Sequence, residues 1–111
     1  MIKYGTLPLL LTLTLIHPMA WALKTEEVSY KDKGAELNGF LAYDEKALTP
    51  RPAVLIVHDW MGLTDKTRDK AKEVAQLGYV AFAVDVYGKG VRPKTPGEAS
   101  SEATKYKKDR A

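Results

Sequence analysis

Two short apolar segments dominate the hydrophobic pattern of the chain, Ala53 to Val57 and Tyr79 to Val84. Neither alternates with polar positions, which is typical of a parallel strand buried on both faces. The apolar residues between them recur at helical spacing: Ala71, Val74, Ala75 and Leu77. The pattern predicts a strand–helix–strand unit whose crossover places the two strands side by side.

The predicted helices have recognisable ends. Thr64 is a plausible N-cap of the first helix, and Gly78 is a suitable left-handed stop. Thr95 and Glu98 form a capping box at the start of a second helix, which is expected to continue to a basic end near Arg110.

A hairpin is predicted before this unit. The segments from Glu26 to Tyr30 and from Glu36 to Tyr43 have strand composition, and Asp32 to Gly34 between them supplies turn residues. The predicted order of elements is therefore β-β-β-α-β-α.

The first 22 residues have the features of a targeting segment. Lys3 provides a positive start, Leu7 to Ile16 is predominantly apolar, and Ala20 to Ala22 fits a small-x-small cleavage site. The apolar run is shorter than the roughly 20 residues needed to span a bilayer, which disfavours the alternative of a retained anchor. We predict a signal peptide at residues 1–22, one domain at residues 23–111 and a periplasmic or secreted protein with no stable membrane span after processing.

Composition argues against several classes of function. There are 17 basic and 14 acidic side chains, too small an excess for a nucleic-acid surface, and there is no cysteine. His58 beside Asp59 is too small a donor set for a metal site. Gly88 and Gly90 do not continue into a dinucleotide-binding motif. We expect no metal, no cofactor and no nucleic-acid partner.

Two motifs in the order observed here carry a resemblance to a known family. His-Asp-Trp-Met-Gly at residues 58–62 follows the third predicted strand, and Asp-Val-Tyr-Gly-Lys-Gly at residues 85–90 follows the fourth. Together, with Gly78 and Tyr79 between them, they resemble early landmarks of the α/β-hydrolase fold, and within it the dienelactone hydrolase family. The resemblance implies an α/β fold class, here the N-terminal part of an α/β-hydrolase sheet, incomplete. It also implies hydrolysis of a small-molecule carboxylic ester or lactone.

The resemblance also implies roles for particular residues. The loop after the third strand of this fold donates a backbone N–H to an oxyanion hole, and the N–H of Trp60 is our candidate, with Met61 beside it. Asp59 occupies the place of an acidic residue that lies near the nucleophile in the family, where the well-known form has the longer Glu. Tyr106 matches a tyrosine that helps to hold the substrate, and Tyr87 is a second candidate for the pocket.

Structural interpretations of the same residues are also open. Trp60 and Met61 fit core packing equally well. His58 precedes the position of the nucleophile, whereas the catalytic histidine comes last in this fold, so we expect it to find a backbone hydrogen-bond partner. Asp85 is expected to brace the turn from Tyr87 to Gly90.

The nucleophile motif of the family does not occur in the sequence. Neither Gly-x-Ser-x-Gly nor Gly-x-Cys-x-Gly is found, and the serines are Ser29, Ser100 and Ser101. We therefore expect an N-terminal fragment of an exported ester or lactone hydrolase that lacks nucleophile, acid and histidine and is inactive alone. The alternative is a small exported non-catalytic binding or interaction protein derived from that fold.

Overall fold

The computed structural model describes residues 22–108, and it confirms the predicted order of elements. These elements are β1 (Leu23–Asp32), β2 (Ala35–Asp44), β3 (Ala53–Val57), α1 (Asp65–Gln76), β4 (Val80–Val84) and α2 (Pro96–Lys108). The predicted signal peptide, apart from Ala22, and the predicted helix end at Arg110 lie outside the described residues.

The four strands form one mixed sheet in the order β1-β2-β4-β3. The hairpin strands β1 and β2 are antiparallel, and β2 continues antiparallel to β4. β3 runs parallel to β4, with Ala53 opposite Val80 and Val57 opposite Val84. The predicted adjacency of the third and fourth strands is confirmed, and α1 is the connection between them.

The core lies between α1 and one face of the sheet. Small side chains on both surfaces let the helix approach the strands closely, because alanine adds little bulk. The contact is lined by Ala71 and Ala75 of the helix and Ala81 and Ala83 of β4, all completely buried. The rest of the buried cluster consists of Phe40, Ala42 and Leu63.

β3 is less buried than its sequence predicts. Ile56 packs against the core below α1, but Leu55 is 68% exposed and Val57 is 67% exposed on the opposite face. The expectation of burial on both faces is wrong for residues 22–108, because α1 covers one face only and no described element covers the other. β3 is also at the edge of this sheet, so no strand among the described residues pairs with its outer side.

α1 begins and ends where the sequence predicts. Thr64 is the N-cap, but its hydroxyl makes no capping bond, and its carbonyl oxygen accepts the N–H groups of Thr67 and Arg68 at 3.0 and 3.1 Å. Gly78 follows the C-cap with a φ of 97°, a left-handed conformation that glycine adopts without a Cβ clash.

α2 begins with the predicted threonine cap. The N–H of Glu98 donates to Thr95 Oγ1 at 3.2 Å, whereas the Glu98 carboxylate accepts the N–H of Lys94 at 2.7 Å. Neither helix within residues 22–108 is long and apolar enough to cross a membrane.

Candidate active site

The loops after β3 and β4 meet at one end of the sheet. Because these strands are parallel neighbours, both loops leave from their carboxyl ends, where ligands bind in open α/β sheets. The Tyr87 hydroxyl donates to the Trp60 carbonyl oxygen at 2.9 Å and joins the loops directly. An open groove of about 270 Å³ lies here, lined by Val57, His58, Asp59, Trp60, Val86, Tyr87, Ala103, Tyr106 and Lys107.

The β3–α1 loop is held by hydrogen bonds to Asp59. The N–H of Met61 donates to the Asp59 carboxylate at 2.9 Å, and the N–H of Gly62 donates to the Asp59 carbonyl oxygen at 3.0 Å. The Trp60 N–H, like those of Asp59 and Leu63 in the same loop, finds no acceptor among residues 22–108.

His58 has backbone partners at both ring nitrogens. Its Nδ1 lies 2.7 Å from the carbonyl oxygen of Asp59, and its Nε2 accepts the N–H of Val86 at 3.1 Å. The ring also contacts Tyr87 edge-on, with 4.7 Å between the ring centroids. The expectation that His58 binds the backbone is confirmed, and the ring connects both loops of the site.

Tyr87 is the central side chain of the site. It is buried at 9% exposure, and its ring stacks on Tyr106 with centroids 5.4 Å apart. Burial, reinforced by the carboxylates of Glu102 and Asp59, raises the pKa of Tyr87 above its usual range. The phenol is therefore neutral at physiological pH and acts as a hydrogen-bond donor.

The other predicted site residues differ in their positions. Tyr106 donates its hydroxyl to the Tyr87 carbonyl oxygen at 3.0 Å, which fastens α2 to the β4 loop. Trp60 is 48% exposed and lines the groove, so it is not a core residue. Met61 is half-buried and lies outside the lining of that groove. The structure thus brings Asp59, Trp60, Tyr87 and Tyr106 together but not Met61.

Asp85 connects the β4 loop to the hairpin. Its side chain is fully buried and accepts the N–H of Gly88 at 3.2 Å, so the predicted brace of the turn is confirmed. It also accepts the N–H of Asn38 in β2 at 3.0 Å, and Arg92 lies 3.5 Å away. The sequence pattern contains no sign of the β2 contact, because local turn chemistry does not specify a partner 47 residues away.

Tyr30 is a supporting residue that the sequence analysis missed. Its hydroxyl both donates to the Asp85 carbonyl oxygen and accepts the Asp85 N–H, each at 2.8 Å. Burial raises the pKa of Tyr30, which keeps the hydroxyl in the neutral form that makes both bonds. The signal available in the sequence was an aromatic residue at the end of the predicted first strand, Glu26 to Tyr30.

Within residues 22–108 no three His, Cys, Asp or Glu side chains converge on one point.

A mixed sheet with a helix between two parallel strands, and a loop site at their carboxyl ends, is the arrangement expected for part of an α/β-hydrolase domain. A sequence profile of the dienelactone hydrolase family matches residues 37–111, and the chain belongs to this family. The predictions of fold class and family are therefore confirmed.

Individual relatives agree with this assignment. A Saccharolobus solfataricus protein assigned as a carboxymethylenebutenolidase is 36% identical over 56% of this chain and 23% of its own length. An Escherichia coli protein assigned as a hydrolase fragment, YghX, is 40% identical over 45% of this chain and 43% of its own. The chain thus spans less than half the length of these curated relatives.

Solved structures show the same partial match. The structure m3DLH superposes with a TM-score of 0.76 at 30% identity, covering 80% of this chain and 37% of that one. A dienelactone hydrolase-like promiscuous phosphotriesterase, P91, from metagenomic libraries superposes with a TM-score of 0.73, at the same identity and coverage.

Proposed function

We propose that this chain is the N-terminal, oxyanion-hole part of a dienelactone hydrolase-like enzyme that cleaves a small carboxylic ester or lactone. The observation that carries the proposal is the Trp60 N–H, which has no acceptor among residues 22–108 and belongs to a residue lining the groove. In this fold the corresponding loop donates one N–H to the oxyanion of the acyl-transfer intermediate. The relatives assigned as carboxymethylenebutenolidases favour a butenolide, which is a cyclic ester, as the substrate class.

The remaining groove residues would shape the site around this donor. Asp59 already accepts the Met61 N–H, so its carboxylate braces the loop that presents Trp60. The Tyr87 hydroxyl binds the carbonyl oxygen of Trp60, and the Tyr106 ring stacks on the Tyr87 ring. A fixed dipole stabilises an oxyanion better than mobile water does, because little reorganisation is needed.

The nucleophile, acid and histidine of the reaction would come from a complementary polypeptide segment. The sequence contains no cysteine, and its serines lie on β1 and α2 rather than at a turn from a strand into a helix. The chain alone is therefore proposed to be inactive towards esters and lactones, without a burst of acyl-enzyme.

A chimeric enzyme tests the proposal directly. Residues 22–108 replace the aligned segment of the m3DLH protein, and hydrolysis of a nitrophenyl ester and of dienelactone is measured. In the active chimera Trp60→Pro removes the amide hydrogen, whereas the control Trp60→Ala removes only the indole. Loss of one oxyanion donor lowers kcat by about 10²–10³. We expect this loss in the proline variant alone.

Equal effects of the two substitutions would reject Trp60 as the donor. A chimera that is folded but inactive would instead favour the second candidate function, a non-catalytic binding or interaction protein. The exposed side chains of Leu55 and Val57 are the observation that supports this alternative, since solvent-exposed apolar surface is typical of contact sites.

We also propose that the protein is exported. Lys3, the apolar run from Leu7 to Ile16 and the small residues Ala20 and Ala22 support a signal peptide cleaved after Ala22. Mass spectrometry of the N-terminus after expression in an exporting host tests this. An intact Met1 on stable cytoplasmic protein would contradict it.

A further inference from the structure

The peptide group between Asp59 and Trp60 receives two hydrogen bonds on its carbonyl side. The Asp59 carbonyl oxygen is 2.7 Å from His58 Nδ1 and accepts the Gly62 N–H at 3.0 Å. The N–H of the same peptide group belongs to Trp60. Because a trans peptide is planar, fixing the direction of its carbonyl also fixes the direction of its N–H.

The partners of His58 define which ring nitrogen carries the proton. The Val86 N–H can only donate, so Nε2, at 3.1 Å from it, must offer a lone pair. The Asp59 carbonyl can only accept, so Nδ1 must carry hydrogen. A single neutral tautomer, protonated at Nδ1, satisfies both neighbours.

We propose that His58 is a positioning residue that holds the Asp59–Trp60 peptide plane and strengthens the Trp60 N–H as a donor to an anion. The proposal rests on the function proposed above, in which this N–H binds the oxyanion. Hydrogen bonds into a carbonyl withdraw electron density from the amide and polarise its N–H, so each bond strengthens the next. The edge contact with Tyr87 keeps the ring in this orientation.

His58 also couples the donor to the neighbouring strand. Its Nε2 is bound to the first residue after Asp85 in the β4 loop, while its Nδ1 binds the β3–α1 loop. The two nitrogens therefore have separable tasks, one that anchors the ring and one that orients the peptide.

Two isosteric substitutions separate these tasks. In His58→Asn the side-chain amide reaches the place of Nδ1 and can donate to the Asp59 carbonyl. In His58→Gln it reaches the place of Nε2 and can accept the Val86 N–H. We would record amide nitrogen spectra and hydrogen exchange of the full chain for the wild type and both variants, together with the ring nitrogen shifts of wild-type His58.

The expected wild-type signature is a ring protonated at Nδ1 and unprotonated at Nε2. The Trp60 amide nitrogen should keep its resonance in His58→Asn and move to lower frequency in His58→Gln. Exchange of the Val86 amide should accelerate about tenfold in His58→Asn only, since one net hydrogen bond corresponds to roughly that factor. In the chimeric hydrolase, kcat should fall about tenfold in His58→Gln with KM unchanged, and His58→Asn should restore it.

A ring protonated at Nε2, or a Trp60 resonance that responds equally to both variants, would overturn the proposal. The wild-type ring signature decides the matter even if both variants unfold. If the chimera is inactive while the ring and Trp60 signatures are as expected, the hydrolase function fails and the positioning of the peptide by His58 stands.

Discussion

The Tyr87 hydroxyl donates a 2.9 Å hydrogen bond to the Trp60 carbonyl oxygen, across the junction of two loops that are 27 residues apart in the chain. The bond lies beside a buried aromatic stack formed by Tyr87 and Tyr106. This phenol, together with the His58 ring, joins the two loops that form the groove, so its hydroxyl is a direct target for mutation.

Removing this hydroxyl should destabilise the fold measurably. Tyr87→Phe keeps the ring and loses the bond to Trp60, so the free energy of unfolding should fall by about 1 kcal/mol. Tyr79→Phe is the matched control, because the Tyr79 hydroxyl has no hydrogen-bond partner within residues 22–108, and it should change stability little. Urea unfolding monitored by circular dichroism compares the two, and equal losses would contradict the role of the bond.

Replacing the buried carboxylate of Asp85 should lower the free energy of unfolding by more than Tyr87→Phe does. Asp85→Asn places an amide NH2 where one carboxylate oxygen accepts a backbone N–H, from either Asn38 or Gly88. We expect a loss of about 2–3 kcal/mol, since bonds to charged groups are the strongest of this kind. The control Asp69→Asn affects only an exposed pair with Lys72 and should cost less than about 0.5 kcal/mol. A similar loss in both variants would show that burial of Asp85 is unimportant.

Stability should decrease at alkaline pH because of the half-buried Tyr30 and the buried Tyr87. Burial raises the folded-state pKa values of Tyr30 and Tyr87 above the unfolded value of about 10. Below about pH 10 both states are protonated and the stabilisation is complete. At higher pH the unfolded chain loses its phenol protons first, so the free energy of unfolding falls as pH rises through the folded-state pKa values.

The pH dependence can be tested with the Tyr87→Phe variant. It should show a shallower loss of stability above about pH 10 than the wild type, because the linked proton of Tyr87 is removed. Denaturant unfolding at several pH values, with tyrosinate absorbance followed in parallel, gives both slopes. An identical slope in the variant would mean that Tyr87 does not contribute.

The sequence was sufficient for the elements and their order, because the relevant signals are local. Thr95 and Glu98 are three residues apart and indicate the start of α2. Gly78 indicates the end of α1, because glycine readily adopts the left-handed conformation found there. The apolar segment of β4 is buried on the α1 face, where Ala81 and Ala83 contact the helix.

The connections within the site could not be predicted in the same way. The bonds of Tyr30 to Asp85 span 55 residues, and no periodicity or turn motif encodes such a pairing. The exposure of Leu55 was missed for a different reason. A hydrophobic pattern indicates which side chains can be buried, but burial also requires another element that covers them. Among the described elements, α1 covers one face of β3 only, so Leu55 on the other face stays exposed.

The open edge of β3 should make the chain associate. Its Leu55 and Val57 side chains are exposed, and the run from Ala53 to Val57 contains no charge or proline that would block pairing with another strand. Leu55→Lys places a charge on the exposed face, so it should reduce association without unfolding the protein. Because Leu55 is already 68% exposed, its replacement should change the free energy of unfolding by no more than about 0.5 kcal/mol.

Leu48→Lys is the matched control for this prediction, because Leu48 is 98% exposed but lies outside the strands. Light scattering should give a smaller mean particle mass for Leu55→Lys than for the wild type and for Leu48→Lys. Far-ultraviolet circular dichroism should give the same spectrum for all three proteins. If the wild type is a cooperative monomer and Leu55→Lys unfolds it, the exposed face of β3 contributes to the fold itself and association through this edge is rejected.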